Sequence, residues 1–279
     1  MSNDDALETA LVAALGSRPL SLFFFVLLLL LVLAAALWWA AHRYTVPQES
    51  SRLPAGSYLL LRLAAGFVIV VAAAAGFAEI AIELADGRRV GQLDQVFSDA
   101  VRQNLANPAV RVFGWLTHLG DTLTLATLCL GVALLLLARG WRWLALGWTL
   151  AIGGNALLNV TLKSLFARAR PLHEGAASLE RGFSFPSGHS SGSVVAYGML
   201  AYVLIRCWPP GQSARGGLPL VLSATALAFT VGCSRIFIQV HFATDVLAGF
   251  ASGTTWLAIC IGSIELLRHY RRRPGAIAG

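Results

Sequence analysis

Along most of this chain apolar residues run in blocks of about twenty before a charge interrupts them. Seven such runs stand out, at 20–41, 58–85, 121–138, 143–162, 189–207, 218–239 and 244–267. Each approaches the ~20 residues that a helix needs to cross the hydrocarbon of a bilayer. The pattern predicts an all-α protein, a polytopic membrane helical bundle. Between 86 and 120 the texture changes. Leu93, Val96, Phe97, Ala100, Val101 and Leu105 recur at i, i+3, i+4 spacing, which predicts an amphipathic helix. Asn107-Pro108 interrupts it, and Val112, Phe113 and Leu116 resume an apolar face. Such a helix either lies in the headgroup layer as a lid over a lipid site or packs over the bundle. The sequence leaves both readings open.

Composition agrees with the bilayer reading. At 57% hydrophobic and 13% charged residues, with a mean hydropathy of +0.68, the chain fits a soluble domain poorly. The net charge of +7 then reads as loop charge near anionic lipid, not as a nucleic-acid surface. Residues 1–19 are polar and acidic. They offer Asp4, Asp5 and Glu8 where a signal peptide would be basic, and the run that follows exceeds a signal core, which predicts a retained span. Cys129, Cys207, Cys233 and Cys260 stand singly without CxxC spacing and read as small apolar packing residues. Glu79 and Glu83, one turn apart, either do acid–base work, or cap a helix end or meet an arginine such as Arg88 or Arg89.

The chemistry gathers in the C-terminal half. Asn155, Asn159 and Lys163 repeat every four residues, a polar stripe that should face the bundle interior. His241 and Asp245 are four apart and would stack on one helix face, the carboxylate holding one imidazole nitrogen and leaving the other free to attack an electrophile. Arg235 adds a fork suited to phosphate oxygens. Ser187 is placed to cap the helix opened by Pro186-Ser187-Gly188-His189, and Gly188 allows close backbone approach at a natural anion site. If each run crosses once, parity brings Lys163, Arg170, His189, Arg235, His241 and Asp245 to one face of the membrane. The arginines of the C-terminal tail fall on the other face, which places the site outside the cytoplasm.

Three blocks now stand in order: Lys163-x6-Arg170-Pro171, Pro186-Ser187-Gly188-His189 and Ser234-Arg235-x5-His241-x3-Asp245. Together they resemble the signatures of the type 2 phosphatidic acid phosphatase superfamily, with every specified position matched. The resemblance covers 58–267 as a six-helix phosphatase domain. It leaves 1–57 as an acidic segment, an extra transmembrane helix and a linker, and 268–279 as a basic tail. It implies that His241 is the nucleophile, that Asp245 orients it and that His189 protonates the leaving oxygen and then activates water. Lys163, Arg170, Ser187, Gly188 and Arg235 would bind the phosphoryl oxygens. Arg168 lies between two motif positions but outside the pattern. His42, His118, His173 and His269 also fall outside it and are expected in loops or interfaces. No cofactor or metal is implied.

The expected function is hydrolysis of a lipid phosphate or diphosphate in a bacterial plasma membrane, with the bilayer and the lipid as partners and no nucleic acid. The preferred tail, the oligomeric state and any protein partner are not legible. Two other readings remain: a phosphotransferase that passes the group to another lipid or sugar, and a non-catalytic membrane scaffold or transporter. Soluble haloperoxidases that hold vanadate in a similar site also belong to the superfamily, but seven spans argue against that branch.

Overall fold

The computed structural model describes residues 3–45, 55–86, 88–171, 182–208 and 213–271. Pro47, Arg52 and Pro54 of the linker, His173, the turn at 209–211 and Arg272 and Arg273 of the tail lie outside these residues. The described chain is helical throughout: α1 (Asn3–Gly16), α2 (Pro19–Thr45), α3 (Ala55–Asp86), α4 (Arg88–Asn104), α5 (Asn107–Leu116), a 3₁₀ turn (Thr117–Gly120), α6 (Thr122–Ala138), α7 (Arg142–Phe166), α8 (Gly188–Cys207), α9 (Ser213–Phe237) and α10 (Ala243–Arg271). Helices α2, α3, α7, α8, α9 and α10 are each long and apolar enough to cross a membrane. The seventh predicted run behaves differently. Helix α6 has 17 residues, about 25 Å at ~1.5 Å per residue. It reaches spanning length only together with Asn107–Gly120, from which it is bent by 42° at Asp121.

Helix α8 is the innermost element, buried at Val195, Ala196, Met199 and Val203 and flanked by α7, α9 and α10. Its close fit to α10 depends on glycines. A Cβ on Gly249 would lie 2.6 Å from the Ser187 carbonyl oxygen and 2.7 Å from Ser190 Cβ, and one on Gly253 would lie 2.8 Å from the Ser191 carbonyl oxygen. Small residues let helix backbones approach where lipid gives no hydrophobic drive between them. Gly249→Val should therefore lower stability by about 1–3 kcal/mol, the usual cost of overpacking. It should also lower activity, because Ser187 is displaced with it. Thermal unfolding in detergent, read beside turnover, checks both.

Elsewhere the packing is aromatic. Trp148 is fully buried and its indole N–H donates to the Cys129 carbonyl at 2.8 Å, tying α7 to α6. Trp256 of α10 packs over Gly154 and donates to the Ala151 carbonyl at 2.8 Å. Of the Gly153-Gly154 pair, only Gly154 has a neighbour that a side chain would displace. Phe23 anchors α2 among Phe113, Phe229 and Phe237. Most of the rest of α2 is outward and apolar, with Phe24, Phe25, Leu28, Leu29 and Val32 exposed. The four cysteines are free.

The structure adds detail at both ends of the chain. The N-terminal acidic segment is a helix, α1, seated on α4, where a Cβ on Gly16 would come within 2.8 Å of Ala100 Cβ. Its Asp5 and Glu8 pair with Arg89, one of the two arginines offered as partners for Glu79 and Glu83. Those two glutamates are exposed on α3, and Arg89 is taken by the carboxylates of α1. Helix α10 runs unbroken to Arg271.

Candidate active site

Helix α9 ends in a turn that aims the next three residues back into the protein. Gln239 takes a left-handed φ of 62°, a closing conformation more often given to glycine. The N–H groups of Val240 and His241 both donate to the Arg235 carbonyl, at 3.1 and 3.2 Å. The Gln239 side chain secures the turn, accepting from Ser98 Oγ at 2.8 Å and donating to the Ile236 carbonyl at 2.8 Å. His241 therefore sits in the connection between helices, not on a helix face shared with Asp245 as predicted. Asp245 occupies the first turn of α10, and its Oδ2 accepts the Phe242 N–H at 2.9 Å while meeting His241 Nδ1 at 3.4 Å. The pairing survives because the carboxylate serves both the helix start and the imidazole. Both side chains are essentially inaccessible. Burial drives the His241 pKa down to about 3; Asp245 opposes the shift, and Arg170 and Arg235 reinforce it.

The cations converge on the other side of this imidazole. Arg170 lies beyond the end of α7, which closes at Ala167 with a φ of 46° and an N–H donated to the Lys163 carbonyl. Its Nη1 contacts the Val240 carbonyl at 2.9 Å and stands 3.3 Å from His241 Nε2, while Nε donates to the Gly182 carbonyl at 3.1 Å. Lys163 Nζ donates to the Phe183 carbonyl at 2.5 Å. Ser184 joins the two segments, its N–H donating to the Arg168 carbonyl at 2.8 Å. Arg235, almost fully buried on α9, donates to Thr117 Oγ1 at 2.8 Å.

Ser187 caps α8, its hydroxyl oxygen accepting the Ser190 N–H at 3.3 Å. Its own N–H donates to the Asp245 carbonyl at 2.9 Å, locking the starts of α8 and α10 together. A Cβ at Gly188 would sit 3.0 Å from Asn159 Oδ1, and the Asn159 amide donates to Ser191 Oγ at 3.3 Å. The polar stripe on α7 thus faces inward, with Asn155 and Asn159 buried. His189 follows in the first turn of α8. Its Nε2 meets Asp121 Oδ1 at 2.9 Å, and the other oxygen of Asp121 meets His118 Nδ1 at 2.7 Å. All eight predicted site residues lie at one end of the bundle.

Several neighbours were not predicted. Asp121 stands at the bend between the 3₁₀ turn and α6, where the sequence shows only a lone acid before an apolar run. Burial raises its pKa, but hydrogen bonds from His118 and His189 outweigh that and lower it. Helix α4 contributes Asp94, on the face buried with Ser98 and Val101. Asp94 accepts from the Thr244 N–H at 3.2 Å and pairs with Arg168 Nη2 at 2.7 Å. Its pKa is raised because burial outweighs these partners. Arg168 Nη1 then reaches Asp245 Oδ1 at 2.6 Å. So Arg168 holds the carboxylate behind His241 and does not face the cation cluster, and the amphipathic segment packs into the site's framework. A lone acid beside the apolar stripe of Leu93 and Val96 was the one available signal for Asp94.

The arrangement offers a buried neutral imidazole with one nitrogen against a carboxylate and the other against a guanidinium. A second imidazole is backed by its own carboxylate, and three cations surround a helix N-terminus. Such a pocket suits an anion that undergoes nucleophilic attack.

Comparison with known proteins gives the family. The family profile described as the PAP2 superfamily matches residues 142–268. The chain is 31% identical over 194 residues to phosphatidylglycerophosphatase B of Bacillus subtilis (strain 168), a match covering 66% of this chain and 89% of that protein. It is also similar to the crystal structure of a transmembrane PAP2-type phosphatidylglycerolphosphate phosphatase from Bacillus subtilis. There the TM-score is 0.65 and the identity 29%, over 72% of this chain and 98% of that one.

Proposed function

The chain belongs to the PAP2 superfamily as a multi-pass membrane phosphatase, and from that footing we propose that it hydrolyses a lipid phosphate or diphosphate through a phosphohistidine on His241. The observation that carries this reading is the two-sided setting of His241, with Asp245 at Nδ1 and Arg170 at Nε2. Held as the Nδ1–H tautomer, the ring directs the Nε2 lone pair toward the cations. Nε2 attacks phosphorus, the bond from phosphorus to the leaving oxygen breaks, and His189 gives that oxygen a proton. Water then attacks the phosphohistidine while His189 takes a proton from it, releasing phosphate and restoring His241. Asp121 at Nε2 of His189 supports the imidazolium needed in the first step and leaves Nδ1 to exchange the proton. Lys163, Arg170 and Arg235, with the α8 N-terminus at Ser187 and Gly188, meet the charge on the phosphoryl oxygens without calling on a metal.

Substrates of the phosphatidate, phosphatidylglycerophosphate and undecaprenyl diphosphate class share the group that these residues would hold. The similarity to phosphatidylglycerophosphatase B favours a glycerophosphate headgroup. Quenching in base a reaction with lipid radiolabelled in its phosphate should leave label on the protein that is stable to base and lost in acid. That label should be absent from His241→Ala. Label that is stable to acid would overturn the phosphohistidine. Counting free phosphate against labelled lipid or sugar product separates hydrolysis from transfer.

On this reading the site lies outside the cytoplasm, in the inner membrane. Arg139, Arg142, Arg206, Arg268 and Arg271 cluster at the ends of α6, α7, α8 and α10 away from His241, which suits the cytoplasmic side. A thiol reagent that cannot cross the membrane should label Gly175→Cys and spare Gln212→Cys in intact cells. The reverse pattern would invert the orientation.

A further inference from the structure

A cleft of about 800 Å³ opens between α7 and α10 at the end of the bundle remote from His241. Twenty-one residues of α7 separate Arg142 at its mouth from Lys163, roughly 32 Å at ~1.5 Å per residue, so the cleft is no part of the phosphate site. Its walls are apolar along their length, with Leu146 and Leu150 on α7 and Trp256 and Ile259 on α10. Its mouth is basic. Arg142, Arg206, Arg268 and Arg271 all line it, and Trp141 and Trp143 stand beside them.

Among the described residues, the one carboxylate packed against this cluster is Glu265, which takes Arg206 Nη2 at 2.9 Å and the Tyr202 hydroxyl at 2.6 Å. Four guanidinium groups against one carboxylate leave an excess of three positive charges at the rim. Arg271 lies over the Trp143 ring, 3.7 Å from its centre, which turns one cation along the membrane boundary where tryptophan prefers to sit. The depth also fits a lipid. From Arg142 to Gly154 the cleft follows twelve residues of α7, roughly 18 Å at ~1.5 Å per residue. One leaflet's share of the ~30 Å hydrocarbon core is about 15 Å.

We infer that this cleft is a binding site for an anionic phospholipid of the leaflet opposite the active site, with an acyl chain along α7 and α10 and the phosphate among the arginines. A neutral or zwitterionic lipid would fill the apolar length equally well but would leave the charge excess unmatched. The ligand is thus chosen by its headgroup and merely accommodated by its chain.

The test uses the full-length protein, delipidated in detergent and offered equal phosphatidylglycerol and phosphatidylcholine, with retained lipid counted by native mass spectrometry. Wild type should retain phosphatidylglycerol preferentially. The R142Q/R268Q variant, which spares the Arg206–Glu265 pair, should lose that preference by about fivefold for each guanidinium removed. Leu150→Trp, which fills the apolar length from an exposed position, should lower retention of both lipids. Headgroup phosphate without chains, offered as glycerol phosphate, should not compete. Equal retention of the two lipids by wild type, or an unchanged preference in R142Q/R268Q, would overturn the inference. So would a protein dimer that carries no lipid, which would give the cleft to a second copy. Because the readout is bound lipid, it stands whatever the phosphatase assay returns.

Discussion

His241→Ala should abolish turnover, lowering kcat by roughly ten-thousandfold or more, the scale on which loss of a covalent nucleophile registers. Binding of the lipid phosphate should persist, because Lys163, Arg170 and Arg235 remain. The loss therefore belongs in kcat, and a variant with near-normal turnover on a panel of lipid phosphates would end the proposed mechanism. The pH profile adds a second check. Burial holds the His241 pKa near 3, so the ring stays unprotonated and nucleophilic through the whole neutral and mildly acidic range. An acid limb in kcat/KM above about pH 5 must then come from another group. Burial sets the stability sign as well. Between pH 6.5 and about 3 the unfolded chain binds a proton at this position that the folded chain refuses. Stability due to His241 thus rises with pH across that window and is lost as the medium is acidified.

Arg168→Ala should be the most damaging change outside the motif positions. Its guanidinium bridges Asp94 on α4 and Asp245 on α10, and both carboxylates are almost fully buried. Removing one partner of a buried pair leaves an uncompensated charge and costs about 3–5 kcal/mol. Activity should fall as well, since Asp245 loses the contact that fixes its orientation toward His241. Arg168→Lys should rescue only part of either loss, because one ammonium cannot reproduce a fork that spans two carboxylates. The stability deficit should shrink on acidification. Burial already holds the Asp94 pKa above its ordinary value, and loss of Arg168 raises it further. Between the two values the folded state keeps a proton that the unfolded state has released. Stability therefore falls as pH climbs through that window and recovers as pH drops. Denaturation in detergent at two pH values reads the effect; a deficit that grows in acid would count against the bridge.

The sequence by itself determined the class of the protein and much of its site. Apolar runs are local properties of the chain, and a bilayer demands about the same helix length everywhere. The spans could accordingly be marked without a fold, and six helices long and apolar enough to cross lie where six of the runs were drawn. The spacing of Asn155, Asn159 and Lys163, or of Ser187 and Ser190, is equally local and already fixes which groups share a face or cap a helix. What only the tertiary structure decided are the contacts between residues that no spacing links. Asp121 is 68 positions from His189, and Arg168 is 74 from Asp94 and 77 from Asp245. Asp121 and Asp94 each read in isolation as a loop or surface charge. Their role comes from packing. The bend at Asp121 sets a carboxylate against one histidine, and the inward face of α4 brings another to the framework behind the second. Even the His241–Asp245 pair, correctly matched by a four-residue step, is made across a helix start and not along a helix. Chain geometry close to an end depends on how that end is buried, and no periodicity records it.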